Sequence, residues 1–267
     1  MPDSFYEPDG DAYVATEATR GPWDPDAQHA GPPSALIGRE IERLDGGRLG
    51  GGDGPPAQVG RITYEIVRSV PIGRLRVEAE VVRPGRRVEL VRAALTDDQG
   101  ETLIRAQGWR LRIDEIGFET PSGFPDPPAG LDRAAPGTFF DTGHEVGYHT
   151  AMEYRFVEGA FTEPGPATVW MRMHIPLIPG EAPSPLQRVL AAADSGNGVS
   201  ATLDWGRYLF INVDLSVHLH RMPEGEWVCL DALTLPEPTG VGMADTQLFD
   251  EHGAIGRAVQ TLLIAER

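Results

Sequence analysis

Apolar residues recur along this chain with two periods, and each period predicts one kind of secondary structure. Helical spacing appears over 35–44 and again over 185–194. The apolar stripes are Ile37, Ile41 and Leu44 in the first helix, and Leu186, Val189, Leu190 and Ala193 in the second. Pro32 and Pro33 precede the first stripe, where prolines are tolerated because the first helical turn leaves its N–H groups unpaired.

Elsewhere apolar and polar residues alternate, which is typical of antiparallel strands with one packed face. In 61–70, the apolar positions are Ile62, Tyr64, Ile66 and Val70. The predicted strands are 12–17, 61–70, 75–82, 87–95 and 102–113 around the first helix, and 152–156, 167–175, 209–219, 226–234, 242–250 and 255–266 around the second. A helix combined with an antiparallel meander, twice over, indicates the α+β class.

One turn and the strand after it occur twice in the sequence. Three residues recur at a constant offset: Asp97, Gly100 and Gln107 match Asp250, Gly253 and Gln260. This duplication predicts two similar halves packed as a pseudo-dimer, with any site where the halves meet. Residues 114–145 hold five prolines and several glycines, and so long an irregular segment is unusual inside one unit. We therefore expect an N-terminal unit, 1–113, a Pro/Gly-rich connection, 114–145, and a C-terminal unit, 146–267.

The composition disfavours several classes of function. A net charge of −17 disfavours nucleic acid and anionic membrane surfaces as partners, and the chain has no apolar run of about 18 residues that would span a membrane. Cys229 is the only cysteine, which excludes an intrachain disulfide and a cysteine-based metal site. Together with a polar, acidic start that argues against a secretory signal, this predicts a cytoplasmic protein.

Three polar residues are candidates for chemistry, each with a structural alternative. Asp194 ends the second helix, where a carboxylate faces the negative end of the helix dipole, so it is either functional or a helix-terminating residue. Gln260 is expected on the packed face of its strand, where an unpaired amide costs about 1–3 kcal/mol, so it is either functional or bound to loop backbone. Asn212 shares its parity with polar residues of 212–221 and faces either solvent or a cleft.

Other sequence features are better explained without chemistry. His218 and His220 have a spacing that can chelate a metal, but local sequence fixes no third ligand, which favours a surface strand. The Gly-rich loop 45–54 lacks the ending of a phosphate-binding loop. The chain has no Gly-x-Ser-x-Gly sequence, which disfavours the serine hydrolases that use that turn.

Four segments in order resemble one family. They are His29-Ala30-Gly31-Pro32-Pro33, Ala193-Asp194-Ser195, 212–221 and Ala258-Val259-Gln260. In their order and separation, over nearly its whole length, the chain resembles the TesB-type acyl-CoA thioesterases (acyl-CoA thioesterase II), particularly actinobacterial members. The resemblance implies a double hotdog fold: two antiparallel sheets, each wrapping a central helix, joined as an intrachain pseudo-dimer.

The resemblance also implies a catalytic site in the second half. The family uses an Asp, a Thr or Ser, and a Gln, which correspond to Asp194, Asn212 and Gln260; Asn212 departs from the pattern because it has no hydroxyl. Asp194 is expected to act as general base on water, or, as the less favoured alternative, as a direct nucleophile on the thioester carbonyl, while the two amides hold the water or stabilise developing charge. His29 and Gly31 are expected to form an oxyanion site or line an acyl tunnel, unless His29 is a structural cap. Trp23 is expected to contact the acyl chain or to pack in the core.

The expected activity is hydrolysis of a fatty or related acyl-CoA. Acyl-CoA is then the partner, no cofactor or metal is needed, and a homodimer or larger homo-oligomer is expected. The alternative, favoured by Asn212, is an acyl-CoA-binding hotdog protein without turnover. A hotdog hydratase is disfavoured because the chain lacks a Gly-Asp-x-x-Asn-Pro-type sequence.

Overall fold

The computed structural model describes residues 1–119, 123 and 125–267, so residues 120–122 and 124 of the predicted connection lie outside it. The α-helices of the described residues are α1 (Gly31–Arg43), α2 (Tyr148–Ala151), α3 (Pro185–Ala193) and α4 (Gly196–Val199). The strands are β1 (Tyr6–Asp9), β2 (Ala12–Ala15), β3 (Ala57–Ile66), β4 (Arg74–Arg83), β5 (Val88–Asp97), β6 (Thr102–Arg112), β7 (Ala135–Pro136), β8 (Met152–Ala160), β9 (Glu163–Met173), β10 (Tyr208–Asn212), β11 (Asp214–Leu219), β12 (Val228–Pro236), β13 (Val241–Asp250) and β14 (Gly253–Glu266).

These strands form one large antiparallel sheet. Its order is β1-β2-β4-β5-β6-β3 followed by β11-β14-β13-β12-β9-β8-β7, and β10 also pairs with β14. The two series join where β3 pairs with β11, with Thr63 opposite Ser216 and their hydroxyl oxygens 3.0 Å apart. The expectation of two separate sheets is therefore wrong, because pairing β3 with β11 satisfies backbone groups that two open edges would leave exposed.

The two long helices pack against each other in antiparallel orientation. Gly31, the first residue of α1, faces Ala191 near the end of α3, and Gly38 faces Leu190 and Leu186. A Cβ atom at Gly31 would lie 2.3 Å from the carbonyl oxygen of Ala191, so only glycine permits this approach. The end of one helix is thereby held beside the start of the other.

The predicted apolar stripes form the core of the molecule. The stripe residues are buried except Leu44, which caps the C-terminal end of α1 and is partly buried. α1 contacts β3, β4 and β5, while α3 contacts β9 and β12. Helix lengths in the described part stay below a membrane span, since α1, with 13 residues, falls short of the roughly 20 that a crossing takes.

The duplicated hairpins correspond to β5–β6 and β13–β14, but their strand registers differ by one residue. Gln107 pairs with Arg92 and is exposed, whereas Gln260 pairs with Ala244 and is buried. Because side chains alternate between the faces of a sheet, a shift of one residue moves a side chain to the other face. The two glutamines that the sequence equates therefore lie on opposite faces.

The N-terminal segment is more ordered than its sequence predicts. The sequence predicts a single strand, 12–17, before the first helix, yet this segment also contains β1, and Phe5 and Tyr6 are fully buried. The backbone N–H groups of these two residues donate to the carbonyl oxygens of Pro176 and Leu177 in the second half. A long-range pairing of this kind leaves no periodic signal in so short a segment.

Candidate active site

Asp194 lies at the C-terminal cap of α3, the end at which a helix dipole disfavours an anion. The antiparallel packing places the same residue beside the start of α1, where the dipole favours an anion. Asp194 is 7% exposed. The neighbouring helix thus offsets the adverse position that the residue has in its own helix.

The two carboxylate oxygens of Asp194 have different surroundings. Oδ1 accepts hydrogen bonds from Asn212 Nδ2 at 2.8 Å and from Gln260 Nε2 at 3.2 Å. Oδ2 lies 3.1 Å from Nδ1 of His29. The structure therefore brings together four of the residues singled out in the sequence. Oδ1 accepts from two amide donors, and Oδ2 has His29 as its neighbour.

A one-residue irregularity turns Asn212 towards Asp194. The predicted strand 209–219 is divided at Val213 into β10 and β11, and the register against β14 shifts there by one residue. Asp214 fills the break, since its Oδ1 accepts the N–H of Thr261 at 2.6 Å. In β10 the even-numbered side chains therefore face inward, whereas in β11 Leu215 is buried and the even-numbered ones face outward.

Gln260 uses both ends of its amide within the protein. Nε2 donates to the backbone carbonyl of Asp194 at 3.1 Å as well as to its side chain, and Oε1 accepts the N–H of Asn197 at 3.0 Å. The residue is 1% exposed. Gln260 consequently holds Asp194 in place and has no free group with which to bind a water.

His29 lies face to face with Tyr148, with ring centroids 3.8 Å apart and planes 10° apart. Its Nδ1 is within reach of both Asp194 Oδ2 and the N–H of Gly31, at 3.1 and 3.0 Å. A single ring nitrogen either donates or accepts, so these contacts are alternatives: protonated Nδ1 donates to Asp194, and unprotonated Nδ1 accepts from Gly31. Burial lowers the pKa of His29, and the Asp194 carboxylate partly offsets this effect.

The start of α1 offers few N–H donors for an oxyanion site. The N–H of Gly31 is directed at His29, Pro32 and Pro33 have none, and the N–H of Ser34 donates to the carbonyl of Ala30. Gly31 does not line the cavity described below. The prolines that suit the first helical turn thus remove two of the donors that an oxyanion site would use, and the role of this turn stays a prediction.

A cavity of about 390 Å³ opens beside Asp194. His29, Asn212 and Trp23 line it together with Asp194, whereas Gln260 lies behind the carboxylate. Trp23 is 45% exposed and stacks on Trp205, with ring centroids 4.4 Å apart. Much of the remaining wall consists of aromatic residues from distant parts of the chain: Phe139, Phe140, Tyr148, Tyr154, Phe161 and Phe210.

Sequence reasoning missed several residues of this site. Tyr148 positions the end of α3, since its hydroxyl donates to the Ala191 carbonyl at 2.6 Å and lies 3.0 Å from Ser195 Oγ. Phe139 and Phe140 belong to the connection that was predicted only as a link between halves. Two adjacent aromatic residues in a Pro/Gly-rich segment were the one available signal. His218, by contrast, is exposed on β11, as a surface strand requires.

Known protein families match both halves of the chain. One family model, described as acyl-CoA thioesterase N-terminal domain, matches residues 19–111, and a second, acyl-CoA thioesterase C-terminal domain, matches residues 125–264. Among solved structures, the chain is similar to a putative thioesterase II from Thermobifida fusca YX, with 17% identity, a TM-score of 0.73, and coverage of 96% of this chain and 93% of that one.

Two further solved structures extend this similarity. The tesB protein of Mycobacterium avium subs paratuberculosis has 14% identity and a TM-score of 0.66, with coverage of 97% of this chain and 95% of that one. A conserved protein with a hot dog fold from Alicyclobacillus acidocaldarius has 14% identity and a TM-score of 0.69, with coverage of 98% and 95%. No curated protein matches the chain. Similarity at these identities establishes a hotdog fold.

Proposed function

The chain belongs to the acyl-CoA thioesterase family and is a thioester hydrolase, and we propose that it converts an acyl-CoA to the free acid and coenzyme A with Asp194 as the general base. One observation supports this role above all: Asn212 and Gln260 hold Asp194 through Oδ1, while Oδ2 lies beside His29 and the residue lines the cavity. A carboxylate fixed through one oxygen at a cavity wall is suited to take a proton from water through the other.

In the proposed reaction, a water at Asp194 Oδ2 attacks the thioester carbonyl carbon as its proton passes to the carboxylate. The new C–O bond gives a tetrahedral intermediate, whose collapse breaks the C–S bond and leaves the electron pair on sulfur. The proton on Asp194 then passes to the thiolate, either directly or through His29, whose Nδ1 lies 3.1 Å away. General base catalysis of this kind typically contributes about 10²- to 10⁴-fold.

Asn212 and Gln260 have a positioning role in this proposal. Both donate to the same oxygen of Asp194, so they fix the carboxylate and leave Oδ2 directed at the reacting water. Attack by Asp194 itself on the carbonyl carbon is less well supported, because Asn212 and Gln260 restrict the movement of the carboxylate. Asn212 thus replaces the hydroxyl expected from the family with another hydrogen-bond donor.

The alternative function is binding of acyl-CoA without turnover, and the Asn212 departure is the observation that favours it. The test is to incubate purified protein with acyl-CoAs of graded length and follow free thiol release with a thiol reagent. We expect release that disappears in Asp194→Asn while the unfolding midpoint is unchanged. Binding of these esters without thiol release at any chain length would favour the alternative, and release unaffected in Asp194→Asn would refute the assigned base.

We further propose that the hotdog is double, with halves at 1–113 and 146–267 linked by 114–145. The strand order β2-β4-β5-β6-β3 of the first half corresponds to β9-β12-β13-β14-β11 of the second, which supports this division. The substrate binds between the halves, because His29 belongs to one and Asp194 to the other. Limited proteolysis in the connection, followed by a test for dissociation of the fragments, would check whether the halves are held together by packing alone.

A homo-oligomer in the cytoplasm is the proposed state of the enzyme. Neighbouring strands of the second half present exposed apolar residues directly opposite each other, with Leu235 facing Met243, and Leu263 facing both Val241 and Ile211. Such a surface on one sheet face is suited to a second copy of the chain. Light scattering after size-exclusion chromatography would test this. A monomer mass for the unaltered protein, the same as that of Leu263→Asp, would contradict it.

A further inference from the structure

A continuous wall of aromatic rings leads away from the candidate base. It begins at Phe210, two residues before Asn212 on β10. Successive ring centroids lie 4.0, 4.4, 5.4, 4.5 and 4.3 Å apart along the series Phe210, Trp205, Trp23, Phe140, Phe139 and Phe161. All six of these residues line the cavity. An acyl group whose carbonyl carbon is near Asp194 would therefore extend along ring faces and edges.

The rings of this wall come from separate parts of the chain. Trp23 precedes α1, Phe139 and Phe140 lie in the connection, and Trp205 lies in the loop before β10. In a chain with 7% aromatic residues, eight of the residues that line this one cavity are aromatic. Tyr148, Tyr154 and Phe161 also belong to the buried core. Trp23, Phe140 and Trp205, in contrast, are partly exposed at the cavity, where core packing alone does not account for them.

We propose that the preferred acyl group is aromatic, a flat ring joined to the thioester carbonyl directly or through one methylene. This inference rests on the proposed thioesterase function and specifies its substrate class. Aromatic pairs in offset-stacked or edge-to-face geometry gain a few-fold in affinity each beyond what burial alone provides. A ring also loses little conformational freedom on binding, whereas a linear chain must order every one of its rotatable bonds.

The size of the cavity supports the same class. At about 390 Å³ it is at the lower end of the range, about 300–1,000 Å³, typical of small-molecule sites. The space must take the acyl group together with the thiol end of coenzyme A. A compact aryl group fits these limits, while a long fatty chain requires the aromatic wall to move apart.

The decisive comparison uses phenylacetyl-CoA and octanoyl-CoA, which have the same number of acyl carbons. We expect kcat/KM for the phenylacetyl ester to exceed that for the octanoyl ester at least about tenfold, since two or more ring pairs form with the first substrate only. Palmitoyl-CoA should be the poorest of the three. A ratio of one or below between the phenylacetyl and octanoyl esters would overturn the inference.

Variants of the wall test whether the rings cause the preference. Phe140→Leu and Trp205→Leu keep an apolar surface but remove a ring, so the phenylacetyl to octanoyl ratio should fall to about threefold or less. Phe118→Leu is the matched control, because Phe118 is exposed and does not line the cavity; its ratio should equal that of the unaltered protein. If the phenylacetyl to octanoyl ratio is unchanged in both wall variants, the rings do not cause the preference.

A failure of the proposed hydrolysis can be distinguished from a failure of the proposed acyl-group preference. If neither ester releases thiol, hydrolysis is refuted, and the inference on the acyl group is then decided by binding. Quenching of the fluorescence of Trp23 and Trp205 gives dissociation constants for the two esters in the unaltered protein. Tighter binding of phenylacetyl-CoA would support the aromatic class, and equal or weaker binding would reject it.

Discussion

The two ends of the antiparallel helix pair are built alike, but they differ in whether they lie at a cavity. At the open end, the C-terminal end of α3 meets the start of α1, and Asp194 faces His29. At the closed end, the C-terminal end of α1 meets the start of α3, and Ser184 Oγ donates to Glu42 at 2.6 Å. Each end thus pairs a carboxylate with a polar side chain of the other helix. Only the open end lies at the cavity lined by aromatic rings.

The supporting strands show where the ends differ. At the open end, Gln260 donates at 3.1 Å to the carbonyl of Asp194, the C-cap residue of α3. At the closed end, Arg110 donates at 3.0 Å to the carbonyl of Leu44, the C-cap residue of α1. Arg110 also contacts Glu89, whose side chain is 0% exposed, at 3.1 Å. This contact is electrostatic, because neither oxygen of Glu89 receives an aligned hydrogen bond. A large buried ion pair therefore fills the closed end, while a neutral amide at the open end leaves a carboxylate available.

The largest expected effect separates the two carboxylates. Asp194→Asn should lower kcat about 100- to 10,000-fold, because it removes the proposed base and keeps the side-chain volume. Glu42→Gln at the closed end should change kcat less than about twofold, since Ser184 can still donate to the amide oxygen. Thiol-release kinetics on both variants measure the difference. Equal losses in the two variants would remove the functional distinction between the ends.

The second prediction concerns the ion pair that closes the other end. Arg110→Met should lower the free energy of unfolding by about 3–5 kcal/mol, because Glu89 is left buried without a partner. Urea unfolding followed by circular dichroism measures this change. The double variant Arg110→Met/Glu89→Leu should recover most of the stability, because apolar residues often replace a buried ion pair without loss. Full stability in the single variant would show that the pair is not needed.

The duplicated glutamines provide the third test. Gln260→Leu should lower kcat about 10- to 100-fold with little change in KM, because Asp194 loses its side-chain anchor and its orientation. Gln107→Leu should leave both constants unchanged, since Gln107 faces outward. Steady-state kinetics on the pair check this. A loss of activity in Gln107→Leu would contradict the opposite placement of the two residues.

The smallest expected effect is a difference in pH dependence between the ends. Burial lowers the pKa of His29 below its ordinary 6.5, so the unfolded chain binds more protons and stability is lost as pH falls below about 6.5. Burial raises the pKa of Glu42, so the folded chain binds more protons there and stability increases as pH falls through that raised value.

Unfolding free energies measured from pH 7.5 to 4 would reveal both effects. His29→Gln should reduce the acid-induced loss, while Glu42→Gln should remove an acid-induced gain. The control is His252→Gln, which replaces an exposed histidine. If His29→Gln and Glu42→Gln changed the pH dependence of the unfolding free energy in the same direction, this assignment would be refuted.

The two long helices, most strands and three of the candidate residues could be predicted from local sequence. The stripes around Ile37 and Leu190 are helical because their spacing leaves one apolar face, and the same faces are buried in the structure. The family resemblance rested on short segments around His29, Asp194 and Gln260, and the structure brings these residues together. Their catalytic roles stay predictions.

Alternation could not decide the orientation of Asn212. It shares parity with Asp214, yet the two side chains lie on opposite faces, because the shift in register at Val213 is set by pairing with β14. The constant offset equates Gln107 with Gln260, yet the two lie on opposite faces for the same reason. Register depends on which strand lies alongside, and that is a property of the folded sheet rather than of the segment.

The amino-acid sequence alone determined the periodicities, the duplication and the identity of the lone carboxylate at the end of α3, because these are properties of neighbouring residues. The tertiary structure alone decided that this carboxylate meets His29 across the helix pair, and that rings as distant as Trp23, Phe140 and Trp205 form one wall. Such contacts join residues separated by more than a hundred positions. No local pattern specifies them, because they arise only when strand register and helix packing are fixed together.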